Sequence, residues 1–195
     1  KTWSLLGPNQ TPESFNGSRD QGLGRINIVR FDPQNPNVIW AGSATGGLWK
    51  SVDGGLSWET FPFTNFMSIG ISDIAVYPQN PGIVYVATGD DDGSYGGGSS
   101  FFSIGLIKTF YGGAIWDTTS LSRNLPDRFI ISRILVHPED FKIVIVGTNS
   151  GIYKSTDAGK TWVNNLPNVF IKDMEMITDD PNIIVASSLS YSGQS

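Results

Sequence analysis

Short apolar runs recur in pairs along this chain, and a proline-containing turn joins the members of each pair. The first runs are Ile26-Asn-Ile-Val-Arg-Phe-Asp-Pro33, Ile71-Ser-Asp-Ile-Ala-Val-Tyr-Pro78, Ile131-Ser-Arg-Ile-Leu-Val-His-Pro138 and Ile171-Lys-Asp-Met-Glu-Met-Ile-Thr178. The second are Asn37-Val-Ile-Trp-Ala-Gly-Ser43, Gly82-Ile-Val-Tyr-Val-Ala-Thr88, Lys142-Ile-Val-Ile-Val-Gly-Thr148 and Asn182-Ile-Ile-Val-Ala-Ser-Ser188. Each is short, rich in β-branched and aromatic residues, and bounded by Pro, Asn, Asp or Gly, which predicts strands. The turn Asp32-Pro-Gln-Asn-Pro36 returns as Tyr77-Pro-Gln-Asn-Pro81. Proline pre-sets φ there and asparagine can bond its own backbone, so the chain reverses at little cost. No window carries a sustained 3.6-residue apolar stripe, so helices should be few.

Alignment of the first runs brings Val29, Ile74, Ile134 and Met174 into register, and likewise Phe31, Val76, Val136 and Met176. The two positions share a strand face by the period of two, and are predicted to pack between neighbouring units. The position between blocks of core reads Ile28, Asp73, Arg133 and Asp173, too mixed to be interior.

A second pattern lies beyond these runs. Ser51-Val-Asp-Gly-Gly-Leu-Ser-Trp58 and Ser155-Thr-Asp-Ala-Gly-Lys-Thr-Trp162 both read S-x-D-x-G-x-[ST]-W, and follow similar strands, Leu48-Trp-Lys50 and Ile152-Tyr-Lys154. A worn copy, Leu106-Ile-Lys-Thr-Phe-Tyr-Gly-Gly-Ala-Ile-Trp116, has Tyr111 at the aspartate position. One unit is then four antiparallel strands in about 45 residues, a blade-sized period.

This repeat resembles the Asp-box, or bacterial neuraminidase repeat, of sialidase-like and sortilin-type β-propellers. The resemblance implies an all-β fold, a β-propeller of four-stranded antiparallel blades with Asp-box turns, of which this chain is about half a ring. Residues 24–62, 70–120 and 130–167 are expected to form three blades, and 171–195 the start of a fourth. Lys1-Thr-Trp-Ser-Leu-Leu-Gly-Pro8 matches Lys160-Thr-Trp-Val-Asn-Asn-Leu-Pro167, so residues 1–8 are expected as a closing outer strand. Three full and two partial blades do not close a ring of typically 4–8. The remainder of the same propeller is therefore expected beyond Ser195.

In such families the box residues Ser51, Asp53, Gly55 and Trp58, with Ser155, Asp157, Gly159 and Trp162, build the turn between the third and fourth strands. That role is structural: an anionic acceptor satisfies several amides, and the tryptophan packs beneath. Trp58, Trp116 and Trp162 should occupy equivalent places. Arg25, Asp73, Arg133 and Asp173 are the candidate ligand-binding residues, because inner strands of a propeller border its central channel.

Composition narrows the partners. A net charge of −5 and a pI near 4.7 disfavour nucleic acid and anionic membrane surfaces. No run of 18 apolar residues exists to span a bilayer. Zero cysteines remove disulfide and thiol chemistry, and one histidine removes a His-rich zinc site. His137 is expected to be a surface turn residue. The segment from Thr88 to Gly105 places Asp90, Asp91 and Asp92 in a glycine-rich stretch with Tyr95, Phe101 and Phe102. Hard oxygen ligands on a flexible backbone suit Ca²⁺, although the spacing is not that of an EF-hand, and a solvated acidic loop is the alternative. The aromatics could stack a carbohydrate or pin the loop to its own blade.

Three enzymatic or binding families share the repeat. Gly24-Arg-Ile-Asn27 resembles the arginine-isoleucine-proline motif of sialidases, with Asn27 in place of proline. Ala41-Gly-Ser-Ala-Thr-Gly-Gly47 resembles the first blade of two-propeller xyloglucanases, with Ala44 or Thr45 where their aspartate falls. Gly24-Arg-Ile-Asn27, Trp40-Ala-Gly42, Gly46-Gly-Leu-Trp-Lys-Ser51, Thr88-Gly-Asp90, Ser103-Ile-Gly105 and Lys172-Asp-Met-Glu175 are similar to secreted multi-domain propeller proteins of Bacteroidetes-type bacteria. That last resemblance implies a secreted or cell-surface protein, exported by the type IX route. The expected function is a non-catalytic binding or scaffold module for a glycan or protein ligand. The alternative is a glycoside hydrolase, sialidase-like or xyloglucanase-like, with its carboxylates partly outside this segment.

Overall fold

The structure, a computed structural model, describes residues 25–61, 70–90, 103–122 and 128–189. All regular structure among them is strand. The first sheet contains β1 (Ile26–Phe31), β2 (Ile39–Ser43), β3 (Leu48–Ser51) and β4 (Glu59–Thr60). The second contains β5 (Ile71–Val76), β6 (Val84–Thr88), β7 (Gly105–Thr109) and β8 (Asp117–Ser122). The third contains β9 (Ile131–His137), β10 (Asp140–Thr148), β11 (Gly151–Ser155) and β12 (Val163–Pro167). β13 (Phe170–Ile177) and β14 (Asp180–Leu189) pair alone. Each sheet follows chain order and every pairing is antiparallel, so each unit is an up-and-down meander.

The register repeats with the sequence. Val29 pairs with Ala41, Ile74 with Val86, Ile134 with Val146 and Met174 with Ala186. All four inner strands are irregular at one place, just after Ile26, Ile71, Ile131 and Ile171. A bulge there re-aims the inserted side chain. Asn27 Nδ2 donates to Ile71 O at 3.0 Å and Ser132 Oγ to Ile171 O at 2.6 Å, so the bulge residue of one blade bonds the inner strand of the next.

Three apolar clusters hold consecutive sheets face to face. Trp40 and Leu48 pack against Ile71, Ile74 and Val86; Tyr85 and Leu106 against Ile131, Ile134 and Val146; Ile145 against Ile171 and Met174. Burying one such side chain is worth about 1.5–3 kcal/mol. The fit is close at the second strand. A Cβ on Gly42 would lie 2.5 Å from Ile71 Cγ2, and one on Gly147 would lie 2.7 Å from Ile171 Cγ2. The predicted interface positions Ile74, Ile134 and Met174 are buried as expected, whereas Val29 and Phe31 in the first blade are 44% and 60% exposed.

Polar latches repeat with the same step. Gln34 and Gln79, from the two Pro-Gln-Asn-Pro turns, donate across to Pro78 O and Pro138 O, each at 2.9 Å. Lys50 Nζ reaches Gly112 O at 2.8 Å, and Lys108 Nζ reaches Ala158 O at 2.7 Å. Both lysines are partly desolvated, which lowers their pKa, and both ride over an aromatic ring.

Trp58, Trp116 and Trp162 each stand immediately before the fourth strand, at equivalent places, and no helix covers Ile131 to Pro138. His137 differs from expectation. It is the last residue of β9 and is 91% buried, with its Nδ1 accepting Glu139 N–H at 3.2 Å. The expected closing strand over residues 1–8, and the last residues of the chain, lie outside the described residues.

Candidate functional site

The meander sorts the turns onto two ends. One end carries the first-to-second and third-to-fourth strand turns. The other carries the second-to-third strand turns and the entries to the inner strands.

At the first end, the two boxes are built alike. Ser51 Oγ accepts Gly55 N–H at 2.8 Å and donates to Asp53, whose two oxygens take Ser57 N–H at 2.9 Å and Ser57 Oγ–H at 2.6 Å. Ser155, Asp157, Gly159 and Thr161 repeat this at 2.8, 2.8, 2.9 and 2.7 Å, with Lys160 N–H added at 3.0 Å. The hydroxyl donors and the amides hold both carboxyls down, to about 2. In the worn copy Thr109 Oγ1 still accepts Tyr111 and Gly113 N–H, at 3.1 and 3.2 Å. Trp58 Nε1 donates to Gly55 O. The box carboxylates and serine hydroxyls are spent on their own turns, so these side chains are structural acceptors.

Along the inner strands a chain of charges crosses all four blades. Arg30 Nη2 meets Asp73 Oδ1 at 3.1 Å; Asp73 Oδ2 accepts Ile134 N–H at 2.7 Å and faces Arg133. Arg133 in turn pairs with Asp173 at 3.2 Å and Glu175 at 3.0 Å. Arg30 Nε and Arg133 Nε also donate to the next blade's Ile74 O and Met174 O. Asp73 was expected to border the channel as a ligand group. Instead it is buried, held between Arg30 of the first blade and the Ile134 amide of the third. Burial raises its pKa, opposed by Arg30, by the Ile134 amide and by Arg133. Arg133 and Asp173 are likewise partners of one another, with Asp173 the more open.

At the second end, hydroxyls close the turns: Ser43 Oγ accepts Gly46 N–H at 3.0 Å, and Thr148 Oγ1 donates to Gly151 O at 2.8 Å. Thr88 Oγ1 does the same to Gly105 O at 2.8 Å, and sits 3.1 Å from Ser103 Oγ. The second blade therefore keeps the turn closure although residues 89–102 intervene. Beside it, Arg25 Nη2 lies 2.5 and 2.6 Å from the two oxygens of Asp90, whose side chain is 5% exposed. Asn27 ties the two together, accepting Arg25 Nε–H at 3.0 Å and donating to Asp90 Oδ1 at 3.2 Å. The floor is tight: a Cβ on Gly70 would meet Ala44 O at 2.4 Å and Gly89 O at 2.6 Å.

The structure thus joins Arg25 to Asp90, two residues the sequence reading kept in separate candidate groups. Asp91, Asp92, Tyr95, Phe101 and Phe102, of the expected Ca²⁺ loop, lie outside the described residues. Among the described residues no group of three His, Cys, Asp or Glu side chains converges as a metal site. Sequence reasoning missed Asn27 and Arg30; a charged Arg30 aligned with Ala75 and Leu135 was the available signal.

Comparison with known proteins places this geometry. No family model matches the chain. A xyloglucanase of Paenibacillus sp is 28% identical over 161 residues, covering 75% of this chain and 15% of that protein. A probable oligoxyloglucan-reducing end-specific xyloglucanase of Neosartorya fischeri is 36% identical, covering 83% of this chain and 23% of its own length. The chain is similar to xyloglucanases. It spans less than a quarter of these relatives. Among solved structures, an ancestral GH74 enzyme superposes with a TM-score of 0.69 at 27% identity, over 84% of this chain and 22% of its own. The YCF48 protein of Cyanidioschyzon merolae superposes at 0.57 and 17% identity, over 80% and 48%, a likeness of fold.

These neighbours are β-propellers, and the fold of this chain is a β-propeller of four-stranded antiparallel blades. The glycoside-hydrolase alternative is better supported than the non-catalytic binding or scaffold module first expected, because the relatives are hydrolases by name. Among the described residues no helix is long and apolar enough to cross a membrane.

Proposed function

We propose that this chain supplies the opening blades of a xyloglucanase-like glycoside hydrolase, and that its S-x-D-x-G-x-[ST]-W turns are Asp-boxes. The observation that carries the reading is similarity to xyloglucanases over at least three quarters of the chain, joined to superposition on a GH74 enzyme. The second end of the strands is the working face, since it carries the half-exposed Arg25 edge held by Asp90 and Asn27. Glycoside hydrolysis by the usual route needs two carboxyl groups flanking the bond. Ala44 and Thr45 offer none, and Asp90 is bound to Arg25, so this segment contributes the wall that holds the glucan. The catalytic carboxylates come from elsewhere in the longer protein, which completes the ring. A polysaccharide substrate is too large to enter a cell, so the protein acts outside it.

Incubation of the full-length protein with xyloglucan, with reducing ends counted over time, tests this. Release of oligosaccharides is expected, with none from a sialylated glycan. Absence of both cleavage and binding of xyloglucan by the folded protein overturns the reading.

A further inference from the structure

We infer that the Arg25–Asp90 pair is a specificity device, which makes the mouth of the first two blades accept neutral sugars and refuse anionic ones. The inference rests on the glycan reading above and adds the residues that choose among glycans. Arg25 stands just before the first inner strand, and 47% of its side chain remains open to solvent. A lone guanidinium in that place is a receptor for carboxylate, by its charge and its planar fork. Here the charge is already met. Asp90 puts both oxygens on Nη2, and its own side chain is almost wholly covered, so solvent cannot strip the pair apart.

What faces outward is the edge of a compensated cation: N–H donors with no net charge behind them. Such an edge suits the hydroxyl and ring oxygens of a neutral sugar. A uronic or sialic acid would lose its hydration without gaining a counter-charge. The donor is also held still. Arg25 O accepts Ala44 N–H at 2.9 Å, and Arg25 Nε is bound to Asn27 at 3.0 Å. Asn27 is anchored in turn to Ile71 O at 3.0 Å. A fixed donor loses little freedom on binding, which favours affinity for a weakly polar ligand.

Titration calorimetry of the full-length protein with a xyloglucan oligosaccharide and with an oligogalacturonate separates the outcomes. Wild type is expected to bind the first and not the second. Asp90→Asn removes the counter-charge, and should weaken the neutral ligand by tenfold or more while creating salt-sensitive oligogalacturonate binding. Arg25→Ala should lose the neutral ligand with no gain of the acidic one. It also keeps the test open if Asp90→Asn fails to fold. Wild-type binding of the neutral ligand that Arg25→Ala leaves within twofold overturns the inference while the proposed function stands. A folded Asp90→Asn with no affinity for the acid does the same. No affinity of wild type for any neutral oligosaccharide overturns both.

Discussion

The two ends of the strands solve the same problem in opposite ways. At the box end each turn closes on itself: Ser51 and Asp53, or Ser155 and Asp157, consume the amides of their own loop. At the other end, Asn27, Arg25 and Asp90 reach from one blade to the next. The box carboxylates ask nothing of a neighbouring blade and recur unchanged, and the latches that reach these turns, Lys50 to Gly112 O and Lys108 to Ala158 O, recur with them. The Arg25–Asp90 pair, by contrast, joins two blades through side chains that the other described blades do not repeat, and the distinctive groups of this chain lie there. The lesson is that repetition marks scaffold in this protein, and departure from repetition marks the candidate site.

The largest expected effect is at the charge that joins blades rather than turns. Asp73→Ala strands Ile134 N–H in the interior and leaves Arg30 and Arg133 without their partner. A loss of about 3 kcal/mol is expected, from a buried unsatisfied amide plus a broken buried pair. Asp73→Asn keeps an acceptor for the amide, and denaturant unfolding should show it losing clearly less. Equal losses would mean that charge, not the amide, dominates.

Next come the outer latches. Lys108 is buried and its ammonium is bound to Ala158 O. Lys108→Met keeps the stem and removes the donor, for an expected loss of about 1–2 kcal/mol in the same assay. No change would show that the Lys108 latch adds nothing beyond the packing of its aliphatic stem.

The boxes themselves give a smaller effect of opposite sign. Gly54 and Gly112 hold positive φ at 75° and 62°, and Ala158 holds the equivalent place at 59°. An L-residue there costs roughly 1–2 kcal/mol, partly offset by the greater freedom glycine loses on folding. Ala158→Gly should therefore stabilise by roughly 0.5 kcal/mol, read as a raised Tm.

The acid response follows from the depressed carboxyls. Asp53 and Asp157 lie near 2 in the folded protein against an ordinary 3.8. A group whose folded pKa is lowered contributes stability above its unfolded value and loses it as pH falls through the folded one. Unfolding midpoints measured across pH 4 to 2 should thus fall, and Asp157→Asn should flatten part of that fall. The smallest effect is expected from exchanging residues 91–102 for a short glycine-serine link. Thr88 and Ser103 already close the junction between β6 and β7, and loop length costs little, so Tm should move by no more than about 2 °C.

Much of the architecture was legible in the chain. The strands, the equivalent tryptophans and the interface positions Ile74, Ile134 and Met174 follow from period and turn chemistry, which are local. The candidate site was legible only in pieces. Arg25 and Asp90 each drew notice, one for its motif and one for its acidic neighbours, but 65 residues separate them and no spacing rule joins them. Asp73 was read as facing the channel, since a strict period of two would put it there. Its partners, Arg30 and the Ile134 amide, come from the two flanking blades, and nothing within its own strand announces them.

The sequence by itself determined that this is a repeating all-β chain and where its strands and turns fall. Each of those depends on residues within one unit, a few bonds apart. Only the tertiary structure decided which charges meet: Arg25 with Asp90, and Asp73 with both Arg30 and Arg133. Such pairs form between blades, where the placement of one sheet against the next sets which side chains come within 4 Å.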